Sequence, residues 1–80
     1  MLVQVKLMAS LRSKLPADAK GGMIQLDLGP DATVASALAK LGINHESIHL
    51  AMVNGEMEAD RQRPLAQGDE LVIFPPVAGG

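Results

Sequence analysis

The sequence predicts an α+β fold in which one main helix covers one face of a mixed sheet of four to five strands. Three observations predict it. Apolar and polar residues alternate in several short runs, a single run carries helical spacing with stop signals at both ends, and Asn-Gly and Gly-Asp dipeptides punctuate the second half. The chain is 80 residues long, which suits one domain. A chain of this size buries only roughly 60–65% of its unfolded surface, so the core is small.

The elements follow in order. "LVQVKL" at 2–7 puts Val3, Val5 and Leu7 on one face and Leu2, Gln4 and Lys6 on the other, the pattern of a half-buried strand. "MIQLDL" at 23–28 repeats it, with Ile24, Leu26 and Leu28 inward and Gln25 and Asp27 outward. Between them Pro16 and Gly21–Gly22 supply turn chemistry, and Leu11 and Leu15 at i, i+4 allow a short helical turn. "GPDATVASALAKLG" is the main helix. Thr33 or Asp31 can cap it, Val34, Ala37, Leu38 and Leu41 form its apolar stripe, and Gly42 offers a left-handed exit. "IHLAMV" then reads as a third strand, ended by the hairpin dipeptide Asn54-Gly55. "EMEA" returns as a short strand, and Gly68-Asp69 turns the chain into a last strand that runs through Phe74. A hairpin, a crossover helix and later strands added alongside make the β-grasp arrangement.

Composition removes several function classes. There is no cysteine, hence no disulfide, no thiolate nucleophile and no thiolate zinc site, which fits the cytoplasm. No apolar stretch approaches the ~18 residues of a membrane span, and the N-terminus reads as a strand rather than a signal peptide. Seven Lys and Arg against nine Asp and Glu form no basic block, and Phe74 is the single aromatic. Nucleic acid and membrane are therefore not expected partners.

One motif invites a metal reading. "HESIH" at 45–49 matches the zinc-protease pattern H-E-x-x-H, in which two histidines share a helix face. Gly42 has already ended the helix, however, and an extended segment would hold His45 and His49 about 13 Å apart. No third histidine is present, so two solvent-facing histidines are expected and no metal site. Glu56, Glu58 and Asp60 alternate along a probable strand and read as a solvated edge that could attract a basic partner.

The chemistry is expected in the tail, so the chain divides into a domain at 1–74 and an extended, flexible tail at 75–80 ending in Gly-Gly. Pro75 and Pro76 lack backbone N–H groups, so sheet pairing stops at Phe74, and each proline holds its predecessor extended. Six extended residues reach roughly 20 Å, enough to thread into another protein's active site. Val77 can anchor in a small apolar pocket, whereas Ala78, Gly79 and Gly80 narrow the peptide to nearly bare backbone. Average glycine usage makes a chance Gly-Gly ending about a 0.5% event. A terminal carboxylate becomes reactive when adenylated, and sulfide transfer would then leave a thiocarboxylate.

The chain resembles the MoaD/ThiS family of ubiquitin-like sulfur carriers along essentially its whole length. The residues carrying the likeness are "SLRSKLP" at 10–16, "VNGE" at 53–56 and "PLAQGDELVIFPPVAGG" at 64–80. It departs from many relatives in having Met8 where they place an aromatic. The resemblance implies a β-grasp fold, with Gly80 adenylated and then thiocarboxylated. It makes Gly79 the narrow neighbour and assigns Phe74, Pro75, Pro76, Val77 and Ala78 to partner contact. It implies no cofactor on this chain, ATP being used by an adenylating, ubiquitin-activating-type enzyme, and no catalysis by the chain alone. "FPPVAGG" is most similar to the small subunit of molybdopterin synthase, which implies sulfur donation inside a large catalytic subunit for molybdenum or tungsten cofactor biosynthesis. Two alternatives stay open: a carrier for thiamine or another pathway, and a ubiquitin-like modifier joined to lysine.

Overall fold

A computed structural model describes residues 1–17 and 19–76. Five strands, β1 (Leu2–Leu7), β2 (Met23–Asp27), β3 (Leu50–Val53), β4 (Glu56–Glu58) and β5 (Glu70–Phe74), form one sheet in the order β2-β1-β5-β3-β4. The one α-helix among the described residues, α1 (Val34–Leu41), covers one face. β1 and β5 run parallel at the centre, and each of the remaining neighbours is antiparallel. This is the β-grasp fold.

The alternation in the strands becomes the two faces of the sheet. Val3, Val5 and Leu7 of β1 sit beside Leu71 and Ile73 of β5 and Ala51 and Val53 of β3, all buried. Val34, Ala37 and Leu38 of α1 close over them, with Leu26, Leu28, Ile43, Ile48 and Leu65 filling the margins. Among the described residues no polar or charged side chain is buried. The core is held by apolar burial alone, at about 25 cal/mol per Å².

Helix α1 is tied down at both ends. Thr33, rather than Asp31, is the cap: its Oγ1 accepts from the Ser36 N–H at 3.2 Å, while the Thr33 N–H donates to Ser36 Oγ at 3.0 Å. This reciprocal pair satisfies donors a helix start leaves free, a contribution of about 1 kcal/mol. The Val34 and Ala35 N–H groups donate to the Arg63 and Arg61 carbonyls, fastening the 59–65 loop across the helix start. At the other end Gly42 takes φ +73°, and the Ile43 N–H donates to the Leu38 carbonyl, so the chain leaves the helix through a left-handed turn.

The connection after β1 is a 3-10 helix over Ala9–Lys14, in place of a single helical turn, with Leu11 buried and Leu15 packed on the core. It begins at Ala9, held at φ +50°. That conformation costs an L-residue about 1–2 kcal/mol and is repaid by the sharp reversal that brings Leu11 inward.

The 54–55 turn is a two-residue hairpin with Asn54 at φ +53° and Gly55 at φ +86°. Asn54 also clasps the start of β5: its Nδ2 donates to Asp69 Oδ1, its Oδ1 accepts from the Glu70 N–H, and Asp69 Oδ2 accepts from the Ala66 N–H. The Asn54 amide, seconded by that N–H, holds the Asp69 carboxyl below its ordinary value of 3.8. A carboxyl depressed in the folded state stabilises it above the unfolded pKa and stops doing so as pH falls through the folded one. Asp69→Asn is therefore expected to melt below the wild type at neutral pH, with the gap closing in acid below pH 3.8. Melting curves of both proteins down that range check this, and a gap that widens on acidification contradicts the clasp.

Candidate functional site

β5 ends where its donors run out. The Phe74 carbonyl accepts from the His49 N–H at 2.8 Å, and the next two residues, Pro75 and Pro76, have no N–H with which to extend the ladder. Pro75 is half-buried and Pro76 exposed. Val77, Ala78, Gly79 and Gly80, assigned above to the reactive tail, lie outside the described residues.

The strand register shows what surrounds the tail root. On the face that α1 leaves open, Met23, Lys6, Val72, Met52 and Met57 form one row across all five strands, and Leu50 pairs with Phe74 in a second row. Leu50, Met52, Val72 and Phe74 are half-buried, while Met57 is 73% exposed. A continuous apolar surface on β5, β3 and β4 thus ends at Phe74, where the prolines begin. Single exposed apolar residues are ordinary, but a contiguous group is a docking surface. Phe74, Pro75 and Pro76 were legible from the sequence. Leu50, Met52, Met57 and Val72 were not singled out, although "LAMV" and "ELVIF" are apolar on both faces in a chain with one main helix to cover them.

The other side of the tail root is cationic. The Met8 N–H donates to the Ile73 carbonyl, which places the end of β1 beside Phe74. Lys6, Leu7, Met8, Ala9, Arg12 and Gly21 line a recess of about 240 Å³ there. Arg12 lies over the backbone of Gly22: a Cβ at Gly22 would stand 3.1 Å from Arg12 Nε and 3.2 Å from the Leu7 carbonyl oxygen, and Gly22 has φ +74°. Glycine is required at 22 both for the backbone conformation and for the space the guanidinium occupies.

Two sequence readings change in detail. Residues His45–Ser47 form a 3-10 turn, not an extended segment, and Leu50 already begins β3. His49 is exposed. The α-helical i, i+4 face that H-E-x-x-H requires is not formed. Among the described residues no three His, Cys, Asp or Glu side chains are placed to hold a metal ion. The acidic row is also divided. β4 covers Glu56–Glu58, so Asp60 is off the strand. Glu58 is ion-paired to Arg63 at 3.0 Å, and it is Met57 that faces outward with Met52. An edge whose central carboxylate is already paired has little left to attract a basic partner. No helix among the described residues is long and apolar enough to cross a membrane.

A family model described as the ThiS family matches residues 5–80. Among solved structures the chain is similar to SAMP1 of Haloferax volcanii, at 31% identity with both chains covered in full and a TM-score of 0.74. It is also similar to small archaeal modifier protein 1 of Methanosarcina acetivorans, at 26% identity over 99% of this chain and 96% of that one, TM-score 0.70. A putative molybdopterin converting factor subunit 1 of Pyrococcus furiosus shares the fold at 23% identity, covering 95% and 98% of the two chains, with a TM-score of 0.70. No match was found among curated protein sequences.

Proposed function

The chain belongs to the ThiS family, and from that premise we propose that it is a sulfur carrier that delivers its Gly80 carboxyl carbon into the active sites of partner enzymes. The observation that carries this reading is the continuity of the apolar open face with the tail root at Phe74–Pro75–Pro76. The face supplies the hold on a partner, and the prolines, followed by Val77, Ala78 and Gly79, supply a narrow reach of roughly 20 Å. The Gly80 carboxylate attacks the α-phosphorus of ATP on an adenylating enzyme and displaces pyrophosphate. A sulfur donor then displaces AMP and leaves the thiocarboxylate. The partner enzymes supply the catalytic groups.

The acceptor proposed first is the precursor of the molybdenum or tungsten cofactor, on the large subunit of molybdopterin synthase. The "FPPVAGG" tail supports it, and so does the fold shared with the Pyrococcus furiosus subunit. The 31% identity with SAMP1 favours a second reading, in which the activated Gly80 forms an isopeptide bond with a lysine. Intact mass separates the two after incubation with the adenylating enzyme, ATP and a sulfur source. A gain of about 16 Da marks exchange of one oxygen for sulfur and supports the carrier. High-mass lysine conjugates without that gain support the modifier, and neither product overturns both.

A further inference from the structure

We propose that the recess beside the tail root, built by Arg12 and Lys6, is a docking socket for an acidic side chain on the rim of the enzyme that receives the tail. The proposal rests on the carrier reading and names the partner chemistry that reading lacks. Four observations meet here. Residues 1–26 hold four of the seven Lys and Arg, namely Lys6, Arg12, Lys14 and Lys20, and only one of the nine Asp and Glu, so the cations are segregated rather than mixed. Arg12 makes no ion pair among the described residues. Its guanidinium is nevertheless placed, lying against Gly22 where any larger residue would displace it. And the recess it shares with Lys6 and Met8 opens beside the strand from which the tail departs.

A solvated arginine with no partner ordinarily samples many rotamers, and ordering it on binding carries an entropic cost. Contact with a glycine backbone reduces that cost in advance, and the planar fork suits a carboxylate held by two parallel N–H bonds. The anion is a protein carboxylate rather than the phosphates of ATP. The nucleotide must meet Gly80, up to roughly 20 Å along the tail, whereas this recess lies at its root. Apolar face on one side and cationic recess on the other would bracket Phe74–Pro75, fixing the direction in which the tail enters.

The test uses the full chain and the purified ubiquitin-activating-type enzyme of the same organism, with ATP. Arg12 and Lys14 are both exposed, so Arg12→Glu and Lys14→Glu make the same charge change, and only the first falls in the recess. Arg12→Glu is expected to raise the carrier concentration for half-maximal adenylation about tenfold at low salt, with the difference shrinking as salt rises. Arg12→Lys should fall between it and the wild type, and Lys14→Glu should stay within about twofold of wild type. Thermal melts of each variant establish that it is folded, and Arg12→Gln replaces any that is not. Equal effects at positions 12 and 14, or none at 12, would overturn the socket while leaving the carrier reading in place. A wild-type chain that is not adenylated at all ends the carrier reading, and the socket with it.

Discussion

Deletion of Gly80 is expected to abolish thiocarboxylate formation and to leave the melting temperature unchanged. The stability half follows from where the core lies. The 17 buried apolar residues of the described chain run from Val3 to Ile73, and its last hydrogen bond along β5 is made at Phe74. Removing a residue six positions later touches none of this, so the shift should stay within about 1 °C, a fraction of what 1 kcal/mol would produce in a domain of this size. The chemical half follows from reach. Without Gly80 the terminal carboxyl carbon sits one residue back, about 3.3–3.6 Å short. A misplacement of about 1 Å can already cost on the order of a hundredfold in rate, so this shortfall takes sulfur loading to background. Intact mass and a thermal melt of the same sample read both halves. A deletion variant that still gains the mass of sulfur removes Gly80 from its proposed role.

Leu71→Ala should do the opposite, unfolding the domain without touching the tail. Leu71 is fully buried on β5, paired with Val5 on one side and Val53 on the other, at the centre of the five-stranded sheet. Truncating a buried leucine costs about 2–5 kcal/mol, because the lost transfer free energy is joined by a cavity the neighbours only partly fill. A chain of this length has about 4–12 kcal/mol in total. The expected fall in melting temperature is at least about 10 °C. Met57→Ala, at a side chain 73% exposed, is the comparison and should change stability by less than about 0.5 kcal/mol. If Leu71→Ala melted within a few degrees of wild type, β5 could not be the central strand. Because β5 also carries the tail, the pair of variants separates what holds the protein together from what it presents.

Much of the fold was legible because local patterns decide local geometry. The alternation in "LVQVKL" specified which face of β1 is buried, since successive strand residues point to opposite sides. Asn54-Gly55 specified a hairpin because both positions need positive φ. Elsewhere two local candidates were equally good and packing chose between them. Thr33 capped the helix in preference to Asp31 because Ser36 stands three residues on to complete the reciprocal pair. The 45–49 segment was read as extended, yet His45–Ser47 curl into a 3-10 turn. Gly42 ends α1 without dictating what the chain does next, and the buried Ile43 and Ile48 must both reach the core across that short span.

The sequence by itself determined the elements, the inward residues of each strand, the stop after Phe74 and the chemistry available to a Gly-Gly ending. Only the tertiary structure decided that β5 enters between β1 and β3, that α1 leaves Leu50, Met52, Val72 and Met57 uncovered, and that Arg12 comes to rest on Gly22. The reason is one of range. A period of two or of 3.6 states which side chains share a face, but it is the same for every neighbour a strand could take, so pairing order and the uncovered face emerge only when all the layers compete for one core.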